Sequence, residues 1–273
     1  LSGVADEGDV LRIGALTRHA EVGADPLIRA HIPLLAAAVD YIAHAAIRNR
    51  GTIGGNVAQD TRCWYYRGGL PCYRAGGNTC FADTPSAMNR EHAIFNADRC
   101  VAVSNSDIAP ALVALDAKMV IQNSGGTTVV DAEKFFIGPA VDITRMTVLK
   151  SGDILTAIRI PNTWAGATFY FEKVADRNVW DFPLVNVAAA MKVAGGTIQD
   201  MRIVVGAVEA VPAALVALGD DRVDAQLLTL ARQSWGGGHV KDNGSALLEH
   251  RCVARRRARA GHDHGDGLVE CHP

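Results

Sequence analysis

The sequence predicts an α+β fold with two substructures. Three observations support this prediction: an apolar helical stripe near the N-terminus, a capped helix followed by a strand in the middle of the chain, and a strand-rich stretch after residue 151. Hydrophobic residues make up 49% and charged residues 21% of the 273 positions, which is typical of globular domains. This length suffices for one large domain or two of ordinary size.

The N-terminal part predicts one strand and two helices. A short strand at 10–14 is followed by a helix for which Thr17 is the candidate N-cap. The next helix begins near Pro33. Its apolar stripe consists of Leu34, Leu35, Ala38, Val39 and Ile42. The glycines of the stretch 48–56 end this helix and favour a loop.

Regular elements resume after a cysteine-containing stretch that shows neither helical nor strand periodicity. Residues 106–117 predict a capped helix, 118–123 a strand, and 125–136 a hairpin turn, a strand and a short helix. A polar turn at 151–153 marks a domain boundary near residue 150. Strands are then predicted at 153–161, 167–175, 184–194 and 197–208. Ala194, Gly195 and Gly196 form the expected hairpin turn between the last two strands.

Charge and hydropathy narrow the possible functions. A formal net charge of −2 gives no electrostatic reason to expect nucleic acid as the main partner. No apolar run approaches the roughly 18 to 20 residues of a membrane-spanning helix. The first residue is Leu1 and no signal peptide precedes it, so we expect the chain to lack its true beginning.

Four cysteines are concentrated in one part of the chain. Cys63, Cys72, Cys80 and Cys100 are separated by eight, seven and nineteen residues. Four thiolates can ligate a tetrahedral zinc ion or an iron–sulfur cluster. Zinc sites usually contain cysteine pairs two to four residues apart, and wide spacing favours a loop around a four-iron cluster. Disulfides or free thiols are the structural alternative, so the spacing leaves all three interpretations open.

A glycine-containing segment, RNRGTIGGNVAQ at 48–59, lies just before the cysteines. The adjacent Gly54 and Gly55 allow an anion to approach the backbone amides, and Thr52 and Asn56 add short polar side chains. This combination suits a phosphate or pyrophosphate group, although a plain glycine turn is the simpler alternative. The segment matches neither the GxGxxG nor the GxxxxGK[ST] pattern of other nucleotide sites.

Taken together, RNRGTIGGNVAQ, the cysteine segment, SNSDIAPALVALDA and GDILTAIRIP…FYFEKVADR resemble one family over about residues 10–215. It is the FAD-binding medium subunit of the molybdenum hydroxylases, which include xanthine dehydrogenase, carbon monoxide dehydrogenase and aldehyde oxidoreductases. The resemblance implies a partial FAD-binding fold of the vanillyl-alcohol-oxidase/PCMH type, followed by a smaller α+β domain. The cysteines resemble the insertion in the flavin subunits of 4-hydroxybenzoyl-CoA reductase and periplasmic aldehyde oxidoreductase, which carries a [4Fe-4S] cluster.

The resemblance also assigns residues to the cofactors. It implies FAD contacts at Ile42, Ala43, Thr52, Ile53, Gly54, Gly55, Asn56, Asp107, Leu155 and Lys173. It implies a [4Fe-4S] cluster on Cys63, Cys72, Cys80 and Cys100. The loop 52–56 would bind the pyrophosphate and ribityl groups through backbone amides and short polar side chains. Asp107 would accept hydrogen bonds from cofactor hydroxyls.

The remaining implied contacts lie in the second domain. Leu155 and Lys173 would lie where that domain closes over the isoalloxazine ring, and the cation would favour an anionic reduced flavin. Each residue has a structural alternative: Ile42 and Leu155 as packing residues, Asp107 as a helix cap, and Lys173 as a solvated strand residue. No side chain is assigned a catalytic role, because no hydrolytic constellation is present.

The implied function is electron transfer within a larger enzyme. The partners would be a molybdopterin-binding large subunit, a small subunit with [2Fe-2S] clusters, and an external electron acceptor. A four-cysteine zinc-binding structural module and a stand-alone flavin oxidase are the alternatives. A cytoplasmic location is expected, with co-export to the periplasm on a partner's signal as the alternative.

The resemblance divides the chain into three parts. Residues 1–150 would form the FAD-binding domain with an iron–sulfur insertion at 60–101, and 151–235 the C-terminal domain. Residues 236–273 would form a disordered or aberrant tail, because this Arg-rich stretch lacks an apolar stripe. The family begins with a glycine-rich FAD loop upstream of Leu1, which is a further reason to expect an N-terminal truncation.

Overall fold

The computed structural model describes residues 1–217, all within the first of two units into which the chain divides, Leu1–Leu228. The helices are α1 (His19–Ala24), α2 (Pro26–His31), α3 (Pro33–Asp40), α4 (Ala45–Arg48), α5 (Ile53–Val57), α6 (Trp64–Arg67), α7 (Ala109–Ala114) and α8 (Ala132–Phe135). Residues 218–273, which include the predicted tail, lie outside the described part.

A five-stranded antiparallel sheet forms the first layer. Its strands are β1 (Val4–Asp6), β2 (Val10–Gly14), β3 (Lys118–Asn123), β4 (Gly126–Asp131) and β5 (Ile154–Pro161), in the order β1-β2-β5-β3-β4. Leu11 pairs with Ile160 and Met119 with Ile158, so alternate positions of the three central strands place buried side chains on the core face.

A second, four-stranded antiparallel sheet follows in simple chain order. It contains β6 (Thr168–Val174), β7 (Val185–Ala194), β8 (Thr197–Gly206) and β9 (Ala213–Ala217). The predicted turn between β7 and β8 is confirmed: Ala194 pairs with Thr197, and Gly195 and Gly196 have positive φ angles of 59° and 74°. Two positive φ angles in a two-residue turn match the right-handed twist of the strands.

Helices α3 and α7 contribute buried residues to a core that also contains side chains from both sheets. The predicted stripe is confirmed for the four residues that lie in α3, which are all buried; Ile42 is buried too but follows the end of the helix at Asp40. Every residue of α7 is buried, and this helix packs against β7 and β8. A Cβ at Gly206 would lie 2.5 Å from Pro110 Cγ, so glycine is required where β8 approaches α7. Core residues from both sheets therefore form one continuous cluster.

Two local predictions were wrong. Arg18, not Thr17, is the N-cap of α1, and its backbone N–H donates to Glu21 at 2.9 Å. The Thr17 hydroxyl instead donates to the Gly14 carbonyl at 2.7 Å and holds the turn after β2. The stretch 48–56, predicted as a loop, includes the start of α5, because Thr52 caps a helix that the glycines do not prevent.

The strand at 153–161 lies in the first sheet as β5, and the second sheet begins at Thr168. The division of the chain at residue 150 stays a prediction. Among residues 1–217, no helix combines the length and the apolar character needed to cross a membrane.

Candidate functional site

The glycine segment forms a short helix that is tightly docked on the end of β2. The Ile53 amide donates to Thr17 O and the Gly54 amide to Ala15 O, both at 2.9 Å. The Gly55 amide donates to Thr52 Oγ1 at 3.2 Å. These three amides, expected to bind a pyrophosphate, are thus engaged within the protein. The polar groups that α5 can offer to a ligand lie on the side chains of Thr52 and Asn56.

A hydrogen-bonded path connects α5 to α7. Ser106 Oγ donates to Asn56 Oδ1 at 2.6 Å and accepts from the Ala109 amide at 3.1 Å. Ser106 therefore satisfies the first turn of α7, and Asp107 is not needed as its cap. The capped helix predicted over 106–117 is shorter, at Ala109–Ala114, and Ser106 rather than Asp107 accepts from its first amide.

Asp107, in the segment before α7, and Lys173, in β6, form a buried ion pair. Lys173 Nζ lies 3.0 Å from Asp107 Oδ2, and both side chains are only 5% exposed. The ammonium also donates to the carbonyls of Tyr41 at 3.1 Å and Asp181 at 2.7 Å. Three acceptors match its three donors, so Lys173 is not a solvated strand residue.

One oxygen of this carboxylate has no partner in the described part of the chain. Asp107 Oδ1 is buried and accepts no hydrogen bond among residues 1–217. Burial raises the pKa of Asp107 to about 6, although the Lys173 cation and, to a smaller extent, the side chain of Asn186 oppose the rise. An unpaired buried oxygen is costly unless a further donor is supplied. A ligand hydroxyl would supply that donor, as expected for FAD.

The chain after α3 lies beside this pair. Ala43 has a positive φ of 40°, and its carbonyl accepts from the Trp180 amide at 2.8 Å. The His44 and Trp180 rings stack with centroids 4.6 Å apart. Ile42 is buried in the core, and Leu155 is half-buried against the same core from β5. The predicted residues thus fall on α5, the start of α7, β6, β5 and the turn after α3.

The structure brings some of the predicted flavin residues into contact. Asn56 reaches the α7 segment through Ser106, and Asp107 contacts Lys173 directly. Ile42, Ala43 and Leu155 make no polar side-chain contact with them. Sequence reasoning also missed Tyr41 and Trp180, because their contacts join parts that are distant in the chain. It missed Asp181 because a backbone carbonyl eight residues after Lys173 leaves no sequence motif.

The four cysteines of the insertion line one cavity and are free thiols. The other residues around it are Tyr65, Tyr66, Tyr73, Arg74, Phe81, Ala82, Arg99, Val101 and Ala102. Cys63 precedes α6, and Cys72 precedes a 3₁₀ turn at Tyr73–Ala75. A Cβ at Gly77 would lie 1.8 Å from the Pro71 carbonyl, so glycine is required where this loop folds back.

The thiols share this cavity without forming a closed single-ion site. Within residues 1–217, no three or more His, Cys, Asp or Glu side chains are arranged to hold a metal ion. Burial is the main cause that raises the pKa of the Cys100 thiol. Sulfur atoms bound to one tetrahedral zinc ion must lie about 4 Å apart, since the Zn–S bond is about 2.3 Å long. The donor set is therefore suited to thiolate ligation, but its geometry does not show a zinc site.

Residues 1–163 match the family model described as the FAD binding domain in molybdopterin dehydrogenase. The match covers more than half of the chain. The fold and the site therefore define the class of flavin-binding oxidoreductase domains. The chain belongs to this family. The resemblance inferred from the sequence motifs is confirmed at this level.

Similar proteins of known name agree with this assignment. The chain is 34% identical over 193 residues to the aldehyde oxidoreductase FAD-binding subunit PaoB of Escherichia coli, covering 69% of this chain and 59% of that protein. It is 30% identical over 204 residues to the carbon monoxide dehydrogenase medium chain of Hydrogenophaga pseudoflava, covering 74% and 54%. The chain thus spans less than two thirds of the length of these relatives.

Solved structures show the same fold. Carbon monoxide dehydrogenase from Hydrogenophaga pseudoflava, in a form lacking the Mo-pyranopterin moiety, matches with a TM-score of 0.58 and 26% identity, covering 78% of this chain and 58% of that one. Quinoline 2-oxidoreductase from Pseudomonas putida 86 matches with a TM-score of 0.55 and 25% identity, covering 78% and 57%. The predicted α+β class and FAD-binding fold are confirmed.

Proposed function

We propose that the chain is the electron-transfer flavin subunit of a molybdenum-containing dehydrogenase and that it carries an additional [4Fe-4S] cluster. Electrons would pass from the molybdenum and [2Fe-2S] centres of partner subunits to an external acceptor. The family match over residues 1–163 carries the flavin part of this proposal. The four free thiols around one cavity carry the cluster part.

FAD supplies reversible one- and two-electron transfer when bound. Asp107 would accept a hydrogen bond from a cofactor hydroxyl at Oδ1, the buried oxygen that has no partner within residues 1–217. Thr52 and Asn56 would orient the polar part of the cofactor through their side chains. The Asp107 carboxylate lies 3.0 Å from Lys173 and neutralises much of its charge. Lys173 would therefore stabilise an anionic flavin less than an unpaired lysine would.

Cys63, Cys72, Cys80 and Cys100 would ligate the cluster. Three observations support this proposal: the cysteines are free thiols, they line one cavity, and aromatic side chains line the same cavity. The similarity to PaoB, an aldehyde oxidoreductase subunit, is consistent with it. Carboxylate and imidazole ligands, which would favour other metals, are absent from the lining residues.

The partners proposed for this chain are a molybdopterin-binding large subunit and a [2Fe-2S] small subunit. Relatives named as medium chains or as the alpha subunit of a dehydrogenase complex support this assignment. We place the assembly in the cytoplasm, with export of the folded complex to the periplasm as the alternative.

Anaerobic purification of the full chain, followed by iron, sulfide, zinc and flavin quantitation, tests this function. We expect about four iron and four sulfide per chain, lost in Cys72→Ser and kept in the control Cys252→Ser, because Cys252 lies outside the cavity-forming insertion. FAD should remain in both variants. Stoichiometric zinc without iron or flavin would contradict the proposal and indicate a structural zinc module.

A further inference from the structure

Arg74 is a buried cation in the wall of the cysteine cavity. It lies between Cys72 and Cys80 in the 3₁₀ turn, and its side chain is only 3% exposed. The same cavity is lined by all four cysteines. Arginine keeps its charge at any physiological pH, so this cavity contains a permanent positive charge.

The guanidinium is fixed from several sides. Its Nη1 donates to the Ile143 carbonyl at 2.8 Å, and its Nη2 pairs with Asp60. Its carbon lies 5.2 Å from the centre of the Tyr66 ring, which is within cation–π range. These contacts hold the guanidinium in one orientation in the cavity wall.

The known partners do not fully compensate this charge. The Asp60 side chain is 50% exposed, so solvent screens its attraction to Arg74. The buried Nε has no acceptor within the described residues. A buried cation is stable only when negative charge or further acceptors lie nearby. Thiolate ligands around the cavity would provide that negative charge.

We propose that Arg74 is a positioning residue that sets the reduction potential of the cluster held by the four cysteines. This inference rests on the proposed function. A four-thiolate cluster carries net negative charge, which grows by one when a single electron enters from a reduced flavin or an added reductant. Arg74 stabilises the more negative, reduced form, because attraction between buried charges is only weakly screened. Its charge therefore raises the reduction potential.

The other arginine of the cavity does not have this effect. The Arg99 side chain is 60% exposed and lies 3.9 Å from the adjacent Asp98 carboxylate. Water and this neighbour screen its charge. Removal of the buried Arg74 should therefore change the electrostatic potential in the cavity. Arg67, an exposed arginine of the same insertion, provides a matched control.

The test is an anaerobic redox titration of the full chain in which electron paramagnetic resonance detects the reduced cluster. Iron and sulfide are measured in each sample. Arg74→Gln should keep its iron and shift the midpoint potential to a lower value. Arg74→Lys should restore much of the shift, and Arg67→Gln should leave the potential unchanged. Asp60→Asn should shift it upward, because Arg74 then loses the anion that partly neutralises it.

Two results would overturn the inference in distinguishable ways. Iron-loaded Arg74→Gln with the potential of Arg67→Gln would remove the role of Arg74 and leave the cluster proposal intact. Absence of iron from the unaltered chain would contradict the proposed function and this inference together. If Arg74→Gln does not fold, Asp60→Asn decides, since an unchanged or lowered potential in that iron-loaded variant would contradict the assignment.

Discussion

At the scale of single residues, the Asp107–Lys173 pair is the most constrained polar feature of the site. Two buried charges 3.0 Å apart are stable only because backbone carbonyls complete the ammonium's hydrogen bonds. The pair also connects the segment before α7 to β6. Replacement of one member would leave the other as an uncompensated buried charge, so this pair supports the fold.

A second buried titratable residue, His19, gives a prediction about pH. The pKa of His19 is lowered to about 4, mainly by burial and to a smaller extent by the charge of Arg48. The unfolded chain therefore binds more protons than the folded chain between about pH 6.5 and pH 4. We expect the free energy of unfolding to fall by up to about 3 kcal/mol as the pH decreases through this window.

Urea denaturation across this pH range measures the effect. His19→Gln should abolish this part of the pH dependence, whereas His31→Gln, on the exposed surface of α2, should retain it. Identical pH dependence in His19→Gln and the unaltered chain would show that His19 is not the responsible group.

At the scale of elements, the docking of α5 on β2 positions the candidate flavin site. A Cβ at Gly54 would lie 2.8 Å from both the carbonyl oxygen and the Cβ of Ala15. Backbone atoms cannot give way as a flexible side chain can, so α5 would have to move. Because Thr52 and Asn56 belong to the same short helix segment, such a movement would also displace their side chains.

Gly54→Ala should therefore destabilise the chain by about 1 to 3 kcal/mol, as overpacking of a closed contact does. Gly55→Ala is the matched control, since its Cβ would meet only Thr52 Oγ1 at 3.1 Å, and alanine favours a helix over glycine. Chemical denaturation of both variants provides the comparison. Equal stability of the two would contradict the close approach of α5 and β2.

Most elements could be predicted from the sequence because local patterns determine them. Alternating burial in β2 and β3 follows from alternating apolar residues, and the Gly195–Gly196 turn follows from the φ angles it needs. Capping was harder: Thr17 is a good N-cap residue, yet its hydroxyl is used by the turn after β2. Local preference was overridden there by a contact between neighbouring elements.

The candidate site was only partly predictable. The motifs pointed to Asp107 and Lys173 separately, but their pairing joins residues 66 positions apart, one in β6 and one in the segment before α7. The internal use of the α5 amides likewise depends on Ala15 and Thr17. The shared cavity of the four cysteines, and the burial of Arg74 in it, arise from loops without a periodic pattern.

At the scale of the whole described unit, α7 packs against the second sheet through β7 and β8. Pro110 contacts β8, and Asp107, two residues before this helix, contacts β6. Asp107 and α7 are therefore positioned by the second sheet, whereas the cysteine cavity lies in the insertion that follows α5. Asp60 and Arg74 join these two regions, because Asp60 lies three residues after the end of α5 and pairs with Arg74.

The most direct test of the central claim is a titration that measures equilibrium binding of FAD to the full chain, with quenching of flavin fluorescence as the signal. We expect one FAD per chain, with affinity reduced about ten- to one-hundredfold in Asp107→Asn, because a hydrogen bond to a charged group contributes about 1.5 to 3 kcal/mol. Asp176→Asn, at the exposed pair with Arg90, should bind like the unaltered chain. No binding by the folded chain, or equal affinity in Asp107→Asn, would contradict the account.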